Sequence, residues 1–583
     1  MDIREGIKSQ FLDLGIELSD SILDKCVEIC VLHNIDEDAF VETWMAYSVT
    51  NLEGEAPTIE TLSTMERKEF ANKSKNGSTN TPGSRPSTTP LTIYNKTPTS
   101  SKKPAVENWN RLENITPKGT KNAGLFGKHL STPVSQPNFS PASFSPISTT
   151  PSGKYSARTN AGEAVVDFVE RTPGDWMGKE RVALTIAPYR DEVLTTRCRI
   201  MMEPLSEKAA VLNDVIERVG SYLVEINGLQ EPTYNHSVSA TEVVCVGRIC
   251  CDSNDHLNPS SVLLEGSRDK CLGQSVLLDL SRLTHFTLFP GQVVAVVGVN
   301  PTGQRFIATK LYHSAPLPLP PVLPRFTAPI EIVIAAGPFT QTDSLTYEPL
   351  EDLMRYVTSH RPHVLILIGP LVDLRQPQLT AGSIAETYDD FFDKIVKGIV
   401  NQLKGSWTQV VVVSSADDAA CLPVFPTPPP LSQNPSPPLH LVSDPALLSI
   451  NGLVIALTAT DSLMHLGKEE ISFPPGGSDR LGRLASHLIQ QQHLYPLWPP
   501  SEGLTVDSEL WDAHASLPLT PHVLVTPSHF RYFIKHLHGC LVINPEHLTK
   551  GTAGGTFARL EVEPPTDDVW TPASHISVQI VKI

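Results

Sequence analysis

The side chains in this sequence best suited to chemistry are a few acids and one histidine that follow apolar segments. Asp373, Asp417 with its neighbour Asp418, and His529 offer the oxygen and nitrogen atoms that ligate divalent cations. A two-metal hydrolytic site needs such ligands to face one point, with an acidic bridge that holds the cations about 3.5–4 Å apart. So few ligands make a poor metal cage, and we expect these residues to cap turns and helices instead.

Three apolar segments must position these side chains, and each ends in a turn of small residues. The pattern is typical of strands covered on both faces, and it occurs at Glu331–Phe339, His363–Asp373 and Gln409–Ala416. Helical patterns lie between the segments, the second near Tyr388–Leu403. This β-α-β-α-β order predicts parallel strands with right-handed crossovers. Sites in open α/β sheets lie just beyond the carboxyl ends of such strands, so these three ends decide the chemistry.

The three strand ends are poor in metal ligands. They read Gly-Pro-Phe up to Phe339, Gly-Pro-Leu from Gly369, and Ser-Ser-Ala-Asp up to Asp417. The scaffold resembles the calcineurin-like metallophosphoesterases, which carry Asp-x-His, Gly-Asp and Gly-Asn-His-Asp/Glu at these places. By that resemblance Phe339, Pro370 and Ala416 occupy ligand positions, and the later Gly-His-x-His motif of those enzymes has no counterpart. Such side chains supply neither lone pairs nor charge, so we predict no catalytic residue, no metal and no cofactor.

The composition fits a protein with several folded parts. A chain of 583 residues, 40% hydrophobic and 19% charged, is long enough for three or four domains. Its net charge of −17 argues against a protein that coats nucleic acid with its whole surface. The nine cysteines form no Cys-x-x-Cys pair, and no signal peptide or membrane-spanning run is evident. We therefore expect a reducing intracellular compartment.

Residues 1–72 predict a small helical domain for docking other proteins. Ile7, Phe11 and Leu14 recur at helical spacing, and Ser19 or Asp20 can cap a second helix. Such apolar stripes are more typical of a core than of a ligand site.

Residues 73–160 are rich in Ser, Thr and Pro, and no apolar period survives there. Such a segment cannot bury enough surface to offset its ordering entropy, so we predict a disordered basic linker. Ser/Thr-Pro steps recur along it, and each phosphate would add about −1.5 to −2 charges. The candidate phosphorylation sites are Thr89, Thr116, Thr132, Ser140, Ser145 and Thr150.

Residues 161–320 predict a helix followed by a small barrel. The helix, at Leu205–Ile226, precedes five short strands with turn signals between them, which suggests an OB fold. Aromatic and basic residues such as Phe306 and Arg248 are scattered rather than gathered in one groove. Protein binding is therefore favoured over DNA binding for this part. A Pro-rich connector leads to the last domain, residues 327–583.

The order of these parts and several stretches of sequence resemble one family. The stretches include GPFTQTDSLTYEPLEDL, LFPGQVV, PSHFRYF and INPEHLTKGTAGGTFARL. They are similar to the B subunits of replicative DNA polymerases, in particular to the B-subunit family of DNA polymerase alpha–primase. The resemblance implies a multidomain α+β protein with an N-terminal helical bundle, a disordered linker, an OB-type β-barrel and an inactive calcineurin-like phosphoesterase α/β sandwich.

The same resemblance implies a nuclear, non-catalytic accessory subunit that acts in the initiation of DNA replication. It would clasp the C-terminal domain of the catalytic subunit, meet the primase subunits through the complex, and recruit replication factors through the helical domain. Contact with DNA would be mainly indirect, and no membrane contact is implied. Two other functions stay open: a metal-dependent phosphoesterase with rearranged ligands, and a single-strand nucleic-acid-binding protein.

Overall fold

A computed structural model describes residues 3–66, 153–168 and 180–583. Short gaps within these ranges fall at 14–15, 17, 34–36, 52–56, 254, 383, 432–437, 476–478 and 566–569. No helix in the described ranges combines the length and the apolar character needed to cross a bilayer.

Four helices make up the N-terminal part of the described chain. They are α1 (Ile3–Asp13), α2 (Asp20–His33), α3 (Glu37–Asn51) and α4 (Ile59–Met65). Their apolar stripes meet in a small core, in which Phe11, Phe40 and Trp44 are at most 1% exposed. The stripes therefore pack as a core, as their spacing indicated.

A short helix, α5 (Gly153–Ser156), begins the next described segment. The buried Tyr155 donates its hydroxyl to the Asp352 carboxylate at 3.0 Å. Arg158 pairs with the same carboxylate and donates to the carbonyl oxygen of Ile583 at 2.8 Å. Residues 153–160 therefore pack on the folded body, although the sequence assigned them to the linker.

Eight strands and two helices follow. In chain order they are β1 (Ala164–Phe168), β2 (Ile186–Pro188), α6 (Leu205–Ile226), β3 (Ser239–Cys251), β4 (Val262–Glu265), α7 (Arg268–Cys271), β5 (Ser275–Asp279), β6 (Phe286–Leu288), β7 (Val293–Asn300) and β8 (Arg305–Tyr312). Five of these strands close into a barrel in the order β3-β4-β5-β8-β7. Helix α6 has the predicted bounds and packs on the barrel through Ile216, Val219 and Leu223.

The remaining elements form the largest part of the chain. They are β9 (Ile330–Ala336), α8 (Glu348–His360), β10 (Val364–Ile368), α9 (Pro377–Thr380), α10 (Tyr388–Gln402), β11 (Gln409–Val413), β12 (Leu439–Val442), β13 (Ala446–Ile450), β14 (Leu453–Leu457), α11 (Ser462–Glu469), β15 (Ile471–Phe473), α12 (Arg480–Gln490), α13 (Ser508–Ala515), β16 (Val523–Val525), β17 (Phe533–Leu537), β18 (Cys540–Asn544), β19 (Thr549–Lys550), β20 (Ala553–Gly554), β21 (Thr556–Val562), α14 (Pro572–His575) and β22 (Ile576–Lys582).

Two sheets from this part face each other across one apolar core. Their strand orders are β1-β22-β21-β9-β10-β11-β12 and β17-β18-β16-β14-β13-β2. Strands β9 to β12 run parallel, and so do β14, β16 and β18. The core between the sheets contains fully buried Ile366, Ile455 and Leu560. The predicted β-α-β-α-β series is present, and the carboxyl ends of β9, β10 and β11 share one edge.

The predicted start of the barrel region, residue 161, does not match the structure. Strand β1 pairs with β22, and β2 pairs with β13, so both extend the large sheets rather than the barrel. The chain thus contributes an outer strand to each sheet before it enters α6. The local sequence of β1 and β2 does not indicate that they join the large sheets, because their partner strands lie hundreds of residues away.

The barrel and the sheets are joined by a strand pair, and by a hydrogen bond at 2.7 Å from the Thr287 hydroxyl of β6 to the buried carboxylate of Glu470. Strand β6 pairs antiparallel with β15. Next to this pair, Glu470 accepts hydrogen bonds from Arg483 at 2.8 and 2.9 Å and from His487 at 2.9 Å. Burial by itself raises the pKa of this carboxyl, but the hydrogen bonds and positive charges outweigh burial and lower the Glu470 pKa to about 2.

Glu470→Gln should destabilise the protein at neutral pH, because Arg483 would then lie against a neutral amide. The folded-state pKa is below the ordinary value of 4.5, so the stabilisation is present above that pH and is lost as the pH falls toward 2. We expect denaturant unfolding to show a loss of ~3 kcal/mol at neutral pH that shrinks in acid. The control Glu469→Gln alters a partly exposed carboxylate and should cost less than ~1 kcal/mol. Equal losses in the two variants would contradict this account.

Candidate functional site

The turns that follow β9 and β10 are in close contact at the carboxyl edge of the first sheet. Gly337 donates its N–H to the Ile368 carbonyl at 2.8 Å, and Gly369 donates to the Val413 carbonyl at 2.9 Å. A Cβ atom on Gly337 would come within 2.1 Å of the Pro370 carbonyl oxygen. Only glycine lets the two turns approach so closely, which brings the three strand ends to one place.

The three positions predicted to have lost metal ligands carry side chains that cannot hold a cation. Phe339 is 1% exposed and packs in an apolar cluster with Tyr347 and Leu371. Pro370 forms the turn after β10, and Ala416 lines a cavity at the edge. These three positions are therefore apolar, and the polar side chains of the edge come from other residues.

Asp418 holds two of these turns together. Its Oδ2 accepts the N–H of Leu371 at 2.6 Å and of Val372 at 3.2 Å, and its Oδ1 accepts the N–H of Ala420 at 3.0 Å. Burial raises the pKa of this carboxyl to about 6, although the three N–H donors act in the opposite direction. Both oxygens are occupied by the backbone, which is the capping role expected from the sequence.

Asp373 and Asp417 are also engaged by neighbouring groups. Asp373 Oδ1 accepts the N–H of Arg375 at 3.0 Å, and burial raises the pKa of its carboxyl. The Asp417 carboxylate forms an ion pair with the Arg375 guanidinium. The two acids named by the sequence therefore serve a turn and an arginine.

Two further acids at this edge accept hydrogen bonds from the segments that follow β14 and β16. Fully buried Asp444 accepts hydrogen bonds from the Thr458 and Thr460 hydroxyls at 2.9 and 2.8 Å, and its pKa is raised to about 6 by burial. Asp461 caps α11 by accepting the Met464 N–H at 2.9 Å, and its other oxygen accepts the His529 N–H at 2.9 Å. The sequence analysis named neither acid.

Two histidines meet beside these acids. The rings of His529, after β16, and His547, after β18, have centroids 4.5 Å apart. His547 Nδ1 donates to the Gly337 carbonyl at 2.6 Å, so Nε2 keeps its lone pair. That buried Nε2 has no hydrogen-bond partner within the described ranges, and burial lowers the pKa of the His547 ring. The sequence analysis missed His547, and its only signal is its place just after a strand.

The edge therefore offers one pair of imidazoles and a set of occupied carboxylates. Among the residues that the structure describes, no three His, Cys, Asp or Glu side chains converge as a metal site requires. The described carboxylates of the edge accept hydrogen bonds or ion pairs from the protein itself, and His547 Nε2 keeps an open lone pair.

Comparisons with known proteins cover the chain from its N-terminal helices to the large sheets. Family models match residues 5–73 (the N-terminal part of the DNA polymerase alpha B subunit), 209–314 (the OB domain of the DNA polymerase alpha B subunit) and 332–535 (the DNA polymerase alpha/epsilon B subunit). A rat protein, named as the B subunit of DNA polymerase alpha, is 35% identical over 98% of this chain and 98% of its own length. The chain belongs to the DNA polymerase alpha B-subunit family.

Other members of the family are similar over most of their length. The mouse relative is 35% identical over 94% of this chain and 93% of its own, and the fruit fly relative is 32% identical over 96% and 97%. The closed barrel lies within the range matched by the OB-domain model, so the predicted OB domain is confirmed.

This member of the B-subunit family has a cavity of about 810 Å³ at the carboxyl edge. Its polar lining includes Arg375, Asp417, Asp461, Lys468, Arg480 and His529. The six candidate phosphorylation sites between Thr89 and Thr150 lie outside the described residues, as does most of the predicted linker.

Asp418→Asn tests whether the buried acid is structural. An amide offers one acceptor oxygen to three N–H donors and points a donor of its own at them, so unsatisfied groups should lower the free energy of unfolding by ~1–3 kcal/mol. The matched control is Asp417→Asn, which breaks a half-exposed ion pair and should cost less than ~1 kcal/mol. Denaturant unfolding of both variants measures the difference. The structural role would be excluded by an Asp418 variant as stable as the Asp417 variant.

Proposed function

We propose that this chain is the non-catalytic accessory component, the B subunit, of a DNA polymerase alpha–primase complex. It would scaffold the C-terminal domain of the catalytic subunit during the initiation of DNA replication. The proposal rests on which side chains lie at the carboxyl ends of β9, β10 and β11 and on what those side chains contact. Phe339, Pro370 and Ala416 offer no ligand atoms there, and Asp418 and Asp417 are already engaged by backbone and arginine.

The large two-sheet part fits an inactive metallophosphoesterase-like domain, here residues 327–583. In support, two facing sheets carry parallel strands, and the carboxyl ends of β9, β10 and β11 meet at one edge. A fold does not fix a function, and an edge without ligands suits a binding platform better than a hydrolase.

The charges of the barrel argue for a protein partner rather than single-stranded DNA. Its cations are largely neutralised: Arg248 donates to Glu265 at 3.1 Å, Arg305 lies 2.9 Å from Asp279, and Lys270 lies 3.0 Å from Glu217. Its aromatic rings are in the core, where Phe289 and Phe306 are 0% exposed. Single-strand binding needs free cations in a groove and exposed rings for base stacking, and these barrel residues serve neither need.

The N-terminal helices and the linker would supply recruitment and control. A small helical domain on a tether raises the local concentration of whatever replication factor it binds, and no bond is made or broken. Nuclear localisation, contact with primase through the complex, and phosphorylation of Ser/Thr-Pro steps in the linker belong to the same proposal.

The competing function is a metal-dependent phosphoesterase with rearranged ligands. The specific observation in its favour is the histidine pair, because His529 and His547 lie together and His547 Nε2 keeps a lone pair. Against it, a two-metal site needs a bridging carboxylate, and the nearby carboxylates are occupied.

Affinity purification of the tagged full chain from dividing cells tests the proposed function. We expect the polymerase catalytic subunit and the primase subunits to co-purify, and His547→Ala to leave their recovery unchanged. Metal analysis of the same sample should find far less than one Mn, Fe or Zn per chain. The opposite result, near-stoichiometric metal with phosphoesterase activity lost in both His547→Ala and Asp373→Ala, would replace the adaptor by an enzyme.

A further inference from the structure

The cavity at the sheet edge is completed by the N-terminal helices. Its wall includes Gln10 from α1 and Val41 and Met45 from α3, although the rest of the lining comes from the body of the protein. Met45 packs against the apolar cluster that contains Met464 and Phe530. Side chains from opposite ends of the sequence thus enclose one space.

The two sides of this contact differ in charge. Residues 1–66 contain fifteen acidic and three basic residues, a formal net charge of −12. The body contributes Arg375, Lys468 and Arg480 to the cavity wall. Asp417 and Arg375 neutralise each other as an ion pair, and Asp461 accepts two backbone N–H groups, so the excess cations of the wall are Lys468 and Arg480.

Lys468 is the cation best placed to act on a neighbour. It is exposed in the last turn of α11 and forms no ion pair with any residue that the structure describes. Residues 161–583 contain 45 acidic and 29 basic residues, a formal net charge of −16, so an acidic domain is repelled by much of that part of the chain. It can rest only where local cations offset that repulsion.

We propose that the N-terminal helices are a reversible cover for the cavity, held by Met45 against the apolar wall and by the cations around Lys468. The linker keeps the cover near its place, so the covered and uncovered states can exchange without the two parts separating. A factor that binds the inner face of the cover must first displace it. The cavity rim would therefore regulate when the helices are available for recruitment.

Hydroxyl-radical oxidation of the isolated full chain, followed by mass spectrometry, measures how accessible the methionine side chains in this contact are to solvent. Met45 and Met464 lie in the contact, whereas Met202 is 76% exposed and serves as the internal reference. Lys468→Glu should raise oxidation of Met45 and Met464 about threefold or more relative to Met202, because the cover leaves. The control Lys404→Glu makes the same charge change before the start of β11, at the end of that strand away from the cavity. It should raise the oxidation of neither Met45 nor Met464.

A second pair of variants tests the cover from its own side. Met45→Glu should raise oxidation of Met464, whereas Leu32→Glu, at a position 66% exposed on α2, should leave it unchanged. Unchanged Met464 oxidation in both Lys468→Glu and Met45→Glu would overturn the proposal. Protection that grows with protein concentration would also overturn it, since a second copy would then supply the helices. The sample contains none of the other polymerase chains, so failure here is distinct from failure of the accessory role.

Discussion

Carboxylates at the carboxyl edge of the first sheet accept hydrogen bonds from the protein itself, and this constraint determines what the edge can do. Asp418 is the centre of it, because three backbone N–H groups from two turns converge on its two oxygens. A carboxylate that holds turns together cannot also bridge two cations without releasing those donors. The same side chain thus fixes the geometry of the strand ends while both of its oxygens are occupied.

Apolar packing accompanies these hydrogen bonds at the first strand end. Phe339 packs in the cluster that contains Tyr347 and Leu371, so this strand end belongs to the core. The two turns can pack this tightly because Gly337 has no side chain to meet the Pro370 carbonyl. The pair of histidines still offers imidazole nitrogens at this edge, and His547 serves there as a hydrogen-bond donor to the Gly337 turn.

The sequence predicted the elements whose patterns are local. Helix α6 has the predicted bounds, and the strands of the barrel and the parallel series β9, β10 and β11 differ from prediction by only a few residues. Strands β1 and β2 were missed because they are short and their partners lie far along the chain, as Ala164 opposite Val581 illustrates.

His547 was missed because no ligand motif surrounds it. The acids Asp444 and Asp461 were missed because capping depends on which N–H groups the fold brings near. The sequence also did not predict that Tyr155 and Arg158 pack on the folded body, because their partners Asp352 and Ile583 are distant along the chain.

The ionic cluster around Glu470 has a consequence for binding. With β6 paired to β15, and with Glu470 accepting a hydrogen bond from the Thr287 hydroxyl of β6 at 2.7 Å, the barrel has little freedom to turn relative to the sheets. A protein that spans both parts therefore meets a preorganised surface, and its association loses little conformational entropy on this side. Selectivity for a partner protein would then depend on the shape of this fixed surface. Any conformational change on binding would occur in the partner.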